Sequence, residues 1–144
     1  MLSVIVVPGD SARLPGLLAA LTPGAIDGLF REVLIVDDPP SGLVAALCED
    51  MGANAAADLS QAAAQARSDW LLVVPPELRM KEGWLERLGD HLRSGGRAAL
   101  LVGEGGPFRR PYGVLVGKAA AAGLAHPNLK GLRGKLGSGA RRLG

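Results

Sequence analysis

The carboxylates of this chain best placed to handle a ligand follow its apolar runs. Asp37 and Asp38 come directly after Glu32 to Val36, and Glu77 comes after Trp70 to Val74 and Pro75-Pro76. An acid just past the C-terminal end of a buried strand is where open α/β sheets place groups that bind ligands. Two adjacent carboxylates such as Asp37 and Asp38 cannot both be core residues. At the lip of a sheet they would meet the base or ribose of a nucleotide. The other role open to them is to cap the helix that starts near Ser41, and spacing does not choose between the two.

The elements that must position these acids follow from hydrophobic pattern. Ser3 to Val7, Glu32 to Val36 and Trp70 to Val74 are short apolar runs, and the first two are rich in β-branched residues, as suits strands buried on both faces. Between them, Asp10 or Ser11 can cap a helix carrying Leu14, Leu17, Leu18 and Leu21 at helical spacing, with Pro15 in its harmless first turn. Ser41 caps a helix to about Met51, stopped by Gly52. Residues 58–67 form an Ala-rich helix and Lys81 to Ser94 an amphipathic one bearing Trp84, Leu85, Leu88 and Leu92. Ala98 to Val102 is a fourth strand, Tyr112 to Val116 an edge strand and Lys118 to Leu124 a short helix. Strand-helix alternation of this kind predicts a single-domain, doubly wound, mostly parallel α/β sheet of Rossmann-like type.

Composition sets the boundaries. The 144 residues suffice for one core, and with few aromatics that core is built from Leu, Val and Ala. A single cysteine, Cys48, excludes an internal disulfide and is read as buried and inert; His91 and His126 lack zinc-ligand spacing, and His91 is read as a surface residue. No apolar run approaches the roughly 20 residues of a spanning helix, and the N-terminus lacks a basic leader segment, so the expected place is the cytoplasm or, peripherally, the inner face of the membrane.

Charge divides the chain. Residues 1–104 hold 8 Lys/Arg and all 14 Asp/Glu, whereas residues 105–144 hold 8 Lys/Arg and no acid. Of 21 glycines, 13 lie in residues 95–144, so the expected organisation is an α/β domain over 1–124 and a basic, glycine-broken tail over 125–144. Arg109, Arg110, Arg141 and Arg142, with Lys118, Lys130, Arg133 and Lys135, would attract a diphosphate, an acidic protein or an anionic membrane surface. Nucleic acid is a poor fit, since only Phe108 and Tyr112 interleave these cations. Two nucleotide motifs fail: Gly113 to Lys118 is one residue short of a phosphate loop and is followed by Ala119, and Gly103, Gly105 and Gly106 do not match the dinucleotide fingerprint.

The order SVIVVP, RLPGLLAAL, REVLIVDD, Gly52-Ala53, DWLLVVPPELR, GWLERL and Pro111-Tyr112-Gly113 resembles the bacterial family-2 glycosyltransferases of GT-A fold, over residues 2 to about 118. The resemblance implies nucleotide-sugar binding by the loop of Pro8 and Asp10 and by Asp37 and Asp38. Asp58 stands where the family has a Gln. Glu77 falls on the last acid of the family's metal motif, which implies Mg²⁺ or Mn²⁺ on the diphosphate. The departures fall on chemistry: Pro75 and Pro76 replace the first half of the metal motif, Val114 to Val116 replace the residues after PYG, and the family's distal acids are missing. The expectation is therefore a catalytically degenerate member with no assignable base, or alternatively an interaction module docked through its basic segment.

Overall fold

The computed structural model describes residues 1–38, 41–95, 97–104, 111–122, 128–136 and 141–143. Seven strands form one sheet: β1 (Leu2–Val6), β2 (Phe30–Val36), β3 (Asn54–Ala56), β4 (Trp70–Val74), β5 (Ala99–Val102), β6 (Tyr112–Gly117) and β7 (Arg141–Leu143), in the order β3-β2-β1-β4-β6-β5-β7. Every pairing is parallel except those of β6, which runs antiparallel to β4 and β5. The helices are α1 (Leu14–Ile26), α2 (Gly42–Met51), α3 (Leu59–Gln65), α4 (Trp84–Arg93), α5 (Lys118–Ala122) and α6 (Leu129–Leu136). This is the expected mostly parallel α/β domain.

Strand alternation sends side chains to two cores. Leu2, Val4 and Val6 of β1, with Leu72 and Val74 of β4, pack with residues of α1, α2 and α4, while Ile5, Leu71 and Val73 pack with residues of α3, α5 and α6. Both faces of β1 and β4 are thus covered, which is why their sequences show no polar alternation. On the first face Trp84 stacks on Phe30, ring centroids 5.9 Å apart. Gly24 makes room for that ring: a Cβ there would stand 2.6 Å from Phe30 Cδ2. α1 runs on through Pro23 to Ile26.

Several boundaries match expectation. Ser41 caps α2 through Val44 N–H at 3.2 Å, and Gly52 ends it in the left-handed region at φ 73°. Other expectations need correction. β6 is a central strand, with Val114 and Leu115 fully buried, and Gly113 lets it lie against β4, since a Cβ there would come 2.8 Å from Val74 Cγ1. β3 escapes sequence reading because Asn54-Ala55-Ala56 is short and has no β-branched residue. His91 is buried: it lies on the apolar stripe of α4, three residues after Leu88, and its Nε2 sits 2.7 Å from the Arg97 carbonyl oxygen. Lys118 is a C-terminal cap for α3, its Nζ donating to the Ala66 carbonyl at 2.7 Å.

The described part of the expected tail belongs to the domain. Leu132 of α6 and Leu143 of β7 are buried, β7 extends the sheet beside β5, and the Arg133 guanidinium lies 4.6 Å over the Tyr112 ring. Glycine at 131 and 134 hides this helix from propensity reading. Cys48 is half-buried, and burial pushes its thiol above the ordinary value, consistent with an inert residue.

At the N-terminal end of the strands, Glu32 ties three segments together. It accepts from the Ser3 hydroxyl at 2.7 Å and from the Arg67 N–H at 2.6 Å, and pairs with the Arg67 guanidinium at 3.7 Å. Burial pushes the carboxyl up, but these hydrogen bonds and the charges of Arg67 and Arg31 outweigh it and hold it below its ordinary value of 4.5. A depressed carboxylate stabilises the fold above its unfolded value, and that stability is lost as pH falls through the folded one. Glu32→Gln is therefore expected to cost about 1–3 kcal/mol at neutral pH. In urea titrations the gap between variant and wild type should narrow below pH 4.5; an equal gap in neutral and acid buffer contradicts the clamp.

Candidate functional site

In the order β3-β2-β1-β4-β6-β5-β7, β1 and β4 are neighbouring parallel strands whose following connections leave in opposite directions. From β1 the chain moves outward to β2 and β3, then returns across β1 to lay β4 on its other side. The loops after β1 and β4 therefore leave in opposite directions at the C-terminal edge, the position at which α/β sheets bind ligands. Pairing continues one residue past β1, with Val7 N–H donating to the Val74 carbonyl at 2.9 Å, before the two loops form the rim.

Glu77 is half-buried and turned back on the β1 loop, where its Oε1 accepts from the Asp10 N–H. A Cβ on Gly9 would stand 2.8 Å from Glu77 Oε2 and 2.8 Å from Pro76 Cδ, so the loops close this tightly because residue 9 has no side chain. Asp10 caps the single 3-10 turn at Ser11–Arg13, its Oδ1 accepting from Ala12 N–H at 3.1 Å. It also faces the Arg13 Nε at 4.0 Å, both side chains about half exposed, a pairing that adds little stability. Asp37, half-buried, accepts from Ser41 N–H at 2.9 Å and donates its own N–H to Ala56 O at 2.9 Å. Asp38 and Pro8 are exposed.

Two hollows border the rim. One of about 80 Å³ lies over β1 and β2, between Pro8, Gly9, Asp37, Val44 and Pro76. The other, about 300 Å³, lies between α1 and the loop after β4 and is lined by Arg13, Gly16, Glu77, Arg79 and Glu104. Its size is at the lower end of small-molecule sites.

The structure thus brings Pro8, Asp10, Asp37 and Glu77 to the same C-terminal edge of the sheet, Pro8 and Asp37 on the smaller hollow and Glu77 on the larger. Asp58 lies past β3 and serves as the cap of α3: it accepts from Gln61 N–H at 2.7 Å while Gln61 Oε1 accepts from Ala57 N–H at 2.5 Å. Arg109 and Arg110 lie outside the described residues. Arg141 and Arg142 stand in β7, separated from β4 by β6 and β5, with the Arg142 side chain exposed. Arg79, two residues after Glu77, is exposed, and the hydrogen bond of Glu77 goes to the β1 loop. Sequence reading passed over Arg13 and Arg79 as lining residues. The available signal was an arginine three residues beyond Asp10 and two beyond Glu77.

The described residues do not fit a resident divalent cation. Glu77, Asp10 and Asp37 each have an oxygen committed to a backbone N–H, Pro75 and Pro76 offer no side-chain oxygen, and no three of the described His, Cys, Asp and Glu residues converge. Hard cations require several oxygen ligands with free lone pairs.

Known proteins place the fold. No protein-family model matches the sequence, and no curated protein is similar to it in sequence. The chain superposes on the 4-diphosphocytidyl-2C-methyl-D-erythritol synthase of Anaerococcus prevotii with a TM-score of 0.61 and 10% identity, covering 99% of this chain and 86% of the other. It is also similar to Rv0371c of Mycobacterium tuberculosis H37Rv (TM-score 0.57, 19% identity, 99% and 86% covered). The Rv0371c homologue of Mycobacterium sp. strain JC1 gives 0.56, 17% identity, and 99% and 84% covered. The fold is shared with all three. None of them is named as a glycosyltransferase, so the family-2 resemblance rests on the order of sequence motifs, whereas the three-dimensional likeness shows an α/β fold.

The contact of Gly9 with Glu77 predicts coupling. Gly9→Ala alone should cost about 1–3 kcal/mol by overpacking. In a Glu77→Ala background the same change should cost about 1 kcal/mol less. Additive losses in a double-mutant denaturation cycle would contradict the packing described.

Proposed function

We propose that this domain binds a nucleoside diphosphate or triphosphate, free or as a nucleotide sugar, in the crevice between the ends of β1 and β4. The observation that carries the reading is the position of Pro8, Asp10, Asp37 and Glu77 at the C-terminal edge where the connections of β1 and β4 leave in opposite directions. The name of one structural neighbour, a synthase of a diphosphocytidyl compound, supports a nucleotide as the ligand class. In this reading Asp37 and Asp38 face the ribose, and the phosphates lie toward the arginine-lined hollow. Mg²⁺ or Mn²⁺ would arrive on the phosphates and keep most of its water, as Mg²⁺ commonly does.

Sugar transfer of the family-2 kind is the finer proposal, and the rim argues for binding without turnover. Asp10, Asp37 and Glu77 each hold a backbone N–H group with one carboxylate oxygen, so each already has a structural role at the rim. Calorimetric titration with CTP, UDP and UDP-glucose, with and without Mn²⁺, is expected to show saturable binding that weakens about tenfold in Asp38→Ala. Release of UDP from UDP-glucose should stay at the solvent rate. No binding up to millimolar nucleotide overturns the proposal.

A second reading is favoured by the charge distribution. Residues 32–66 contain Glu32, Asp37, Asp38, Glu49, Asp50 and Asp58 and no Lys or Arg, whereas Lys130, Arg133 and Arg142 belong to α6 and β7 on the other half of the sheet. Such a basic end would dock on an acidic protein or an anionic membrane surface. Co-sedimentation with phosphatidylserine vesicles that is lost in Lys130→Glu/Arg142→Glu supports it; no sedimentation at low salt counts against the membrane form.

A further inference from the structure

The larger hollow is lined by two arginines and by a carboxylate already seated on a backbone donor. Arg13 comes from the turn before α1 and Arg79 from the loop after β4, both exposed. Among the described residues Arg13 has a single ion pair, at 4.0 Å to exposed Asp10, and Arg79 makes no side-chain hydrogen bond or ion pair. The floor is open at Gly16, where a Cβ would meet nothing within 4 Å. At the mouth, Glu77 presses its carboxylate against Gly9 and takes the Asp10 N–H.

The geometry points to an anion subsite in which Glu77 is the resident anion. A phosphate or diphosphate group displaces the Glu77 carboxylate from the Asp10 N–H and sits between Arg13 and Arg79, which supply the positive charge that no carboxylate cage here holds as a cation. The inference rests on the nucleotide reading of the crevice and gives the side on which the phosphates lie. Guanidinium groups suit phosphate because their planar N–H donors bond two oxygens at once. A carboxylate left close to a phosphate repels it, so Glu77 lowers affinity for every ligand that does not move it. Glu104, on the same wall and exposed, adds a weaker repulsion that salt screens.

The test is calorimetric titration with pyrophosphate in EDTA. Glu77→Ala is expected to bind about tenfold more tightly than wild type. Glu77→Gln should gain less, because its carbonyl oxygen still accepts from Asp10 N–H, and it guards against loss of fold in the alanine variant. Arg13→Ala or Arg79→Ala, each added to Glu77→Ala, should remove most of the gain. Equal affinity in wild type and Glu77→Ala, or a gain that survives loss of both arginines, overturns the subsite. The two readings separate cleanly. If CTP or UDP binds wild type and Glu77→Ala alike, the nucleotide crevice stands and the subsite falls; if pyrophosphate behaves as expected while no nucleotide binds, the subsite stands and the nucleotide reading falls.

Discussion

β1 is buried along its whole length and needs a neighbour on each side, because an unpaired backbone N–H or C=O in that position costs about as much as a lost hydrogen bond. The chain fills one side with β2 and the other with β4, and the change of direction between these two connections opens the sheet at a single edge. All of the rim depends on that arrangement. Val7 and Val74 hold the two strands together up to the point at which the loops part, and the residues beyond them are free to take up polar work.

The rim is closed by a carboxylate. Glu77 reaches back across the crevice to the Asp10 N–H, and Gly9 admits it by having no side chain. A metal motif at this place would aim its oxygens outward at a ligand's phosphates. Here the prolines at 75 and 76 offer no oxygens and the one remaining acid turns inward. The charge left for an anionic ligand belongs to Arg13 and Arg79, and that difference distinguishes this crevice from the family pattern its sequence resembles.

The sequence made the scaffold legible where composition and period agree. Ser3 to Val7, Glu32 to Val36 and Trp70 to Val74 read as buried strands because no polar face interrupts them, and Ser41 and Gly52 read as helix ends because a hydroxyl cap and a left-handed residue are what those ends require. β3 was invisible because three small residues carry no β signal, and β6 was placed at an edge because nothing local says that a strand runs antiparallel between two others. α6 and β7 were hidden by glycine and charge, although Leu132 and Leu143 anchor them in the two cores. At the site, the acids were found by their position after strands. Their hydrogen bonds were not, since Glu77 and Asp10 lie far apart in the chain and meet only through topology. Asp58 entered through the family resemblance, and in the structure it caps α3.

The account's central claim is that the β1–β4 crevice is the ligand site of the domain. The direct measurement is a ¹H–¹⁵N correlation spectrum of the wild-type protein titrated with CTP and with UDP. The claim predicts shifts concentrated at the amides of Gly9, Asp10, Asp37 and Ser41, with Leu129 to Leu136 unmoved. Shifts confined to α6 and β7, or none at any concentration, would contradict it.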